Sequence, residues 1–174
     1  MSLLDTSGIP RRHLQAEVDT TGPWGAAWQR IESSLGKGAL ILLCGTRGSG
    51  KTQLACEAVK RACTNGRTGR YFTAMDIFID IKGTYRHDAK ESEKQLITRL
   101  STPTVLAIDE IGKRGETEWE NNLMFHIIDK RYQNLVDTIL VTNQTAADAI
   151  KSLGASLSSR MQECGGVKIG RAHV

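Results

Sequence analysis

Along the chain, short runs of hydrophobic residues alternate with longer stretches in which hydrophobic residues recur every three or four positions. Continuous apolar runs are typical of buried strands, and they predict strands at Ala39–Cys44, Tyr71–Thr73, Val105–Ile108, Ile139–Val141 and Val167–Ile169. The periodic stretches predict amphipathic helices at 24–35, 51–63, 73–81, 92–100, 117–133, 145–152 and 155–162. Because strands and helices alternate, the sequence predicts an α/β fold, a parallel five-stranded sheet with helices on both faces.

The length of the chain and its breaks predict one domain. A chain of 174 residues suits a single domain and leaves little room for a second. Residues 1–23 mix glycine, proline, threonine and charge without hydrophobic periodicity, which predicts an irregular lead-in. We therefore expect the folded domain to span residues 24–174.

Composition narrows the class of protein only a little. The net charge of +4 permits contact with nucleic acid but does not require it. No apolar run approaches the roughly 20 residues of a membrane helix, and the first residues lack a signal-peptide pattern, so we expect a cytoplasmic protein with no membrane partner. The spacing of the cysteines matches no zinc site, which favours small buried hydrophobic residues at Cys44, Cys56, Cys63 and Cys164.

The strongest chemical signal is a glycine-rich segment between the first strand and the helix after it. It fits the phosphate-loop pattern G-x-x-x-x-G-K-[ST] at every fixed position: Gly45, Thr46, Arg47, Gly48, Ser49, Gly50, Lys51 and Thr52. Glycines let backbone N–H groups point inward at phosphate oxygens, and the helix adds its positive end. We expect Lys51 to reach the β- and γ-phosphates of ATP and the Thr52 hydroxyl to ligate Mg²⁺. A glycine-rich turn without a ligand is the alternative.

Polar residues follow two of the other predicted strands. Asp109 and Glu110 close the strand Val105–Ile108, at the edge where open α/β sheets bind ligands. Asp109 suits the role of a Walker B aspartate, which supports Mg²⁺ through the groups bound directly to the ion, and Glu110 is placed to polarise an attacking water. Asn143 follows Ile139–Val141, where it can contact the γ-phosphate or the lytic water, the sensor-1 task of AAA+ ATPases. Its alternative is a turn asparagine that caps the next helix.

Several segments together resemble a known family. They are Ile108-Asp109-Glu110-Ile111-Gly112, Ile127-Ile128-Asp129-Lys130-Arg131-Tyr132, Val141-Thr142-Asn143, Ser159-Arg160-Met161 and the lead-in Ser7-Gly8-Ile9-Pro10-Arg11-Arg12. They resemble the ATPase domain of DnaC-type helicase loaders, in the DnaC/IstB group of AAA+ ATPases, over residues 7–170. The resemblance implies a P-loop NTPase core without a lid domain, ATP-driven self-association, a hexameric replicative helicase as partner and single-stranded DNA as ligand.

The resemblance also gives roles to individual residues. Arg160 matches the arginine finger that a neighbouring subunit inserts into the active site, although an isolated surface arginine is usually only solvated. Ser156 departs from the pattern, since family members often carry arginine there. Arg171 is the candidate for a second-sensor arginine. The segment 8–12 is expected to contact adenine.

A DNA surface is expected from residue chemistry and from the same resemblance. Lys82, Tyr85, Arg86 and His87 combine positive charge with a ring on which bases can stack. Thr117 and Trp119 fall where loaders present DNA-facing side chains. A solvated loop and a core tryptophan are the alternatives.

Four functions compete at this stage, and the last is a nucleotide-gated binding module without hydrolysis, against which the intact Lys51, Thr52, Asp109 and Glu110 argue. The first is a replication factor that uses ATP to load a helicase onto single-stranded DNA. The second is an IstB-type transposition helper, which shares the same motifs. The third is a small-molecule kinase with the same phosphate loop, against which Glu110, Asn143 and Arg160 argue. Loaders carry an N-terminal helicase-binding region, and nothing before residue 7 matches it, so an excised ATPase domain is the expectation.

Overall fold

One parallel sheet forms the centre of the molecule. A computed structural model describes residues 2–18, 20–113, 115, 117–163 and 168–169. Its five strands lie in the order β2-β3-β4-β1-β5 and are β1 Leu40–Leu43, β2 Gly69–Thr73, β3 Val105–Asp109, β4 Asp137–Val141 and β5 Lys168–Ile169. The predicted five-stranded parallel sheet is confirmed, and its last strand pairs through two residues only. Val167, predicted to begin that strand, lies outside the described residues.

Eight α-helices precede or connect the strands in the described part of the chain. They are α1 Arg11–Leu14, α2 Gly22–Ser34, α3 Lys51–Thr64, α4 Ala74–Gly83, α5 Glu93–Ser101, α6 Glu118–Gln133, α7 Ala146–Leu153 and α8 Ala155–Glu163. Capping boxes at Thr73, Ser92 and Thr117 fix three helix starts. None of the helices in the described part of the chain combines the length and apolar character that crossing a membrane requires.

The lead-in differs from its prediction. Residues 1–23 were expected to be irregular, but they contain the single turn α1, and α2 already begins at Gly22. Pro10 precedes α1 with φ of −58°, a value that its ring imposes and that suits a helix start. One turn is too short to produce hydrophobic periodicity, so the pattern could not reveal it.

The strands divide the hydrophobic interior into two cores because their side chains alternate between faces. Ile41, Leu43, Ala107 and Val141 face one core, which α2, α3 and the lead-in cover. The other core collects the opposite strand residues with α4 to α8, including Leu42, Leu106, Ile108, Leu140, Phe78, Leu100, Met124 and Ile128. Helices on both faces are thus confirmed, and strand ends at one edge are left open for a ligand.

Three cysteines behave as predicted. Cys44, Cys56 and Cys63 are buried free thiols inside the two cores. Burial raises the pKa of Cys56 to about 12, so this thiol stays protonated and chemically quiet. Cys164 lies outside the described residues.

A buried arginine explains one of the family-like segments in structural terms. The guanidinium of Arg131 on α6 donates to the Leu100 carbonyl at 3.0 Å, the Asp137 carbonyl at 2.6 Å and the Thr138 hydroxyl at 2.9 Å. These bonds tie α5 and α6 to the start of β4. Arg131 therefore fixes the sheet rather than contacting a ligand.

Candidate nucleotide-binding site

The segment between β1 and α3 forms a curled phosphate loop. Gly45, Gly48 and Gly50 have φ of 131°, 78° and 81°, conformations that residues with a Cβ rarely adopt. The Lys51 ammonium lies in the curve of this loop and donates to the carbonyls of Gly45 at 2.9 Å and Thr46 at 2.7 Å. The sequence thus folds locally into the cradle that a triphosphate requires.

The ammonium of Lys51 is placed to bind an anion. The residue is only 8% exposed. This burial lowers the pKa of the ammonium, while the nearby Asp109 carboxylate raises it. A phosphate beside Lys51 would favour the charged form in the same way.

Three hydrogen bonds hold the carboxylate of Asp109. Its Oδ2 accepts hydrogen bonds from the Thr52 hydroxyl at 2.7 Å and from the Tyr71 hydroxyl at 2.8 Å, and its Oδ1 accepts the Glu110 N–H at 2.6 Å. Burial and this carboxylate raise the pKa of Tyr71 far above its usual range, so its hydroxyl remains a donor.

Thr52 and Asp109 together offer the hard oxygen atoms that Mg²⁺ prefers. The 2.7 Å contact places both within reach of one cation. No group of three or more histidine, cysteine, aspartate or glutamate residues that could hold a metal occurs in the described part of the chain. Mg²⁺ is usually held by one or two protein groups together with substrate phosphates.

Glu110 lies beside Asp109 in an uncommon backbone conformation. Its φ is 56°, in the left-handed region that residues other than glycine seldom adopt. The side chain is partly exposed and forms an ion pair with Lys113 in the 3₁₀ turn Ile111–Lys113. Glu110 and Lys113 both line the cleft, and the side chain of Glu110 is more exposed than the buried Asp109.

Asn143 also reaches the cleft, from the end of β4. It is exposed and lines the cleft together with Thr142. The alternative role of capping the next helix is wrong, because α7 is capped by Thr145, whose hydroxyl accepts the Asp148 N–H at 3.1 Å. Gly112 packs closely here, since a Cβ at that position would lie 2.9 Å from the Thr142 hydroxyl. The 3₁₀ turn after β3 therefore lies directly against the residue that follows β4.

These groups surround one cleft of about 770 Å³. The phosphate loop, Asp109, Glu110 and Asn143 line it together with residues of the lead-in. Pro10, Arg12, His13 and Ala16 are the lead-in members. His13 Nδ1 lies 2.7 Å from Gln53 Oε1 on α3, which joins the lead-in to the helix of the phosphate loop. This arrangement provides space for a base beside the phosphates.

Arg160 lies on α8 and is absent from the described lining of this cleft. Its guanidinium pairs with the Asp129 carboxylate at 2.6 Å. It also lies 4.8 Å from the ring centre of Phe125 and 5.2 Å from that of Tyr132. Within its own chain, Arg160 is thus held on the face formed by α6 and α8. Arg171 lies outside the described residues.

Two separate segments with predicted DNA contacts meet at the C-terminal end of α4. The Lys82 ammonium lies 5.4 Å from the centre of the Trp119 ring, and Trp119 packs against Phe78 at 5.8 Å between ring centres. Tyr85 is 57% exposed, and its hydroxyl lies close to both Glu93 and Trp119. We call Lys82, Tyr85 and Trp119 the aromatic–basic cluster. Trp119 is half-buried, so its ring serves the core and the cluster at once.

The remaining predicted contacts lie around this cluster. Arg86 is exposed and forms an ion pair with Asp88 at 3.4 Å. Thr117 caps α6 by accepting the Glu120 N–H at 3.2 Å. Helix α4 begins at the other end with the cap Thr73, which lines the nucleotide cleft. A single helix therefore runs from the cleft to the aromatic–basic cluster.

The sequence did not reveal three residues of the site. Tyr71 reaches Asp109 from β2, Lys113 pairs with Glu110, and His13 joins the lead-in to α3. Only Tyr71 carried a signal, because a tyrosine at the start of a buried strand needs a hydrogen-bond partner for its hydroxyl.

Comparison with known proteins gives concordant results. The chain is 32% identical over 136 residues to the replicative helicase loader DnaC of Escherichia coli strain K12, a match that covers 78% of this chain and 55% of that protein. The chain spans about half of the length of the curated relatives it matches.

Solved structures share the fold. A crystal structure of the DnaC helicase loader superposes with a TM-score of 0.77 at 24% identity and covers 92% of this chain and 99% of that one. The replication initiator DnaA, bound to AMPPCP and single-stranded DNA, gives a TM-score of 0.72 at 19% identity over 95% of this chain and 51% of that one. The fold is that of the DnaC and DnaA AAA+ domains.

The family model described as IstB-like ATP binding protein matches residues 33–158, which include the phosphate loop, Asp109, Glu110 and Asn143. Because this match covers most of the chain, the protein belongs to the family of IstB-like ATP binding proteins.

Proposed function

We propose that this chain is the ATPase domain of a helicase loader, which hydrolyses ATP with Mg²⁺ and delivers a replicative helicase to single-stranded DNA. The observation that carries the proposal is the contact of Thr52 with Asp109 at 2.7 Å, directly beside Glu110 in the same cleft. It joins a phosphate loop, a magnesium-compatible pair and a candidate base within one chain.

Each residue has a defined task in this proposal. The phosphate loop binds the β- and γ-phosphates through its N–H groups and Lys51. Thr52 and Asp109 hold Mg²⁺, which neutralises charge on the phosphates. Glu110 takes a proton from the attacking water. Its place in the lining of the cleft, at a left-handed backbone position, suits that task. Asn143 orients the same water or the γ-phosphate from β4.

Hydrolysis is proposed to depend on a second copy of the chain. Arg160 is held away from its own cleft by Asp129 and two rings. A guanidinium supplied by a neighbour stabilises charge on the transferred phosphoryl group. ATP-dependent self-association would place Arg160 of one copy at the cleft of the next, which makes turnover depend on assembly.

The helicase and DNA enter the proposal from the relatives and from the aromatic–basic cluster. The curated relatives are named replicative helicase loaders. The structurally similar DnaA binds single-stranded DNA. An exposed tyrosine beside a lysine and a half-buried tryptophan offers a stacking surface together with positive charge.

A transposition helper is the second candidate function. The matching family model is described by its IstB-like members, and the phosphate site alone does not separate the two functions. The partner decides between them, because a loader binds a helicase whereas a transposition helper acts with a transposase on duplex DNA.

The decisive experiment is a pull-down of the full-length gene product with the replicative helicase of the same cell, with ATP, with ADP and without nucleotide. We expect nucleotide-dependent capture of the helicase. Glu110→Gln, which should bind ATP without hydrolysing it, should give the most stable ATP-bound complex. Absence of capture, together with duplex-stimulated ATP hydrolysis, would replace the loader by the transposition helper.

A further inference from the structure

The carboxylate of Asp109 has an additional support that the phosphate-loop pattern does not include. Its Oδ2 accepts two hydroxyl groups, from Thr52 at 2.7 Å and from Tyr71 at 2.8 Å. Asp109 is 4% exposed and Tyr71 is 8% exposed, so water has little access to replace either bond. A buried carboxylate of this kind depends on its protein donors for its orientation.

The hydroxyl groups of Thr52 and Tyr71 differ in the other contacts they make. Thr52 is also the expected ligand of Mg²⁺, so its hydroxyl serves two partners. The Tyr71 hydroxyl serves Asp109 and lies on a different element, β2. Phenylalanine would fill the same space in the core, so the packing of this residue requires the ring but not the hydroxyl.

The position of Tyr71 is fixed from two sides. Its backbone N–H donates to the Ser7 carbonyl at 2.7 Å. Its carbonyl lies against Gly8, where an added Cβ would approach to 2.6 Å and φ is 78°. In the sheet, Tyr71 pairs with Ala107 of β3, two residues before Asp109. The hydroxyl therefore reaches Asp109 from a backbone that the lead-in and the sheet both hold.

We propose that Tyr71 is a positioning residue, whose hydroxyl holds Oδ2 of Asp109 in the orientation required for Mg²⁺ binding with Thr52. This inference rests on the proposed function of the site. It predicts that the tightening of nucleotide binding by Mg²⁺ depends on Tyr71, whereas binding without Mg²⁺ does not.

The test is the variant Tyr71→Phe in the full chain, titrated with a fluorescent ADP at a series of Mg²⁺ concentrations and in EDTA. We expect the Mg²⁺ concentration for half-maximal tightening to rise about tenfold, because a hydrogen bond to a charged group is lost. Affinity in EDTA should stay at the wild-type value. In the Asp109→Asn background, Tyr71→Phe should cause much less additional change.

Thr138→Val is the matched control. It removes a buried hydroxyl that accepts a hydrogen bond from Arg131, also within the sheet but away from the cleft. We expect it to lower the melting temperature without shifting the Mg²⁺ midpoint. A wild-type midpoint in Tyr71→Phe, or an equal shift in Thr138→Val, would overturn the positioning role. If the wild-type chain shows no Mg²⁺-dependent nucleotide binding at all, the proposed function itself fails.

Discussion

The nucleotide cleft and the outer surface of the chain hold their charged groups in different ways. In the cleft, Lys51 and Asp109 are buried. Lys51 donates hydrogen bonds to carbonyls of the phosphate loop, and Asp109 accepts hydrogen bonds from Thr52 and Tyr71. On the surface, Arg160 and Lys82 lie over aromatic rings, and Arg160 also has one carboxylate partner. Buried hydrogen bonds to charged groups are strong, whereas partly exposed ion pairs and ring contacts contribute about 1 kcal/mol or less.

This difference between the cleft and the surface indicates which activities need a second copy of the chain or DNA. The cleft has its phosphate loop, magnesium pair and candidate base within one chain, so it should bind nucleotide by itself. The cations outside the cleft are held by ion-pair and ring contacts, and we expect them to exchange these contacts for another copy of the chain or for DNA. Nucleotide binding should therefore be independent of protein concentration, and turnover should not be.

The variant Arg160→Ala should have the largest effect. We expect ATP hydrolysis at protein concentrations that allow assembly to fall about 10³-fold, the lower end of the range for an arginine finger. ATP affinity of the dilute chain should not change, since Arg160 is not among the described residues of the cleft. Hydrolysis rates over a protein concentration series and nucleotide titrations measure the two quantities.

A matched control for this variant is Arg99→Ala. Arg99 also combines carboxylate partners with a ring, at 3.2 Å from Glu91 and 5.8 Å from the centre of Phe72. It should hydrolyse ATP like the wild type. Unchanged turnover of assembled Arg160→Ala would refute the finger role and erase the contrast between cleft and surface.

Glu110→Gln should separate binding from hydrolysis inside the cleft. Loss of the candidate base should lower hydrolysis about 10²- to 10³-fold, while ATP stays bound because glutamine has nearly the same shape. Single-turnover hydrolysis with labelled ATP measures both. Glu91→Gln, which loses an exposed ion pair with Arg99, is the control. A hydrolysis rate near that of the wild type would exclude Glu110 as the base.

Lys51→Ala should weaken nucleotide binding itself. Charge-assisted bonds to two phosphates are lost, so we expect ATP affinity to fall about 100-fold. Titration with fluorescent ATP gives the affinity. Lys60→Ala is the control on the same helix, because Lys60 bonds to the Leu14 carbonyl outside the cleft. Equal affinities for Lys51→Ala and the wild type would contradict the phosphate role.

Tyr85→Ala should have the smallest effect and should act on DNA alone. Loss of one stacking ring should weaken single-strand binding about tenfold, and nucleotide affinity should be spared. Anisotropy with a labelled oligonucleotide at fixed salt measures the change, and Tyr85→Phe should retain the affinity. If nucleotide affinity shifts instead, the aromatic–basic cluster does not form a DNA surface.

The sequence predicted those features that are determined by residues close to one another along the chain. The phosphate loop is one continuous segment, and the apolar runs and helical spacing around it are also local, so the sheet and the loop could be predicted from pattern. The contact of Tyr71 with Asp109 could not be predicted, because it depends on the register of β2 against β3. The pairing of Arg160 with Asp129 depends likewise on how α8 packs beside α6.

Helix α4 has a mechanical consequence for the molecule. It begins at Thr73 on the rim of the cleft and carries Lys82 near its other end. Its ten residues form a stiff rod about 15 Å long. A tilt of only about 5° at Thr73 would move the far end by roughly 1 Å, so any adjustment of the cleft that tilted α4 would also displace Lys82.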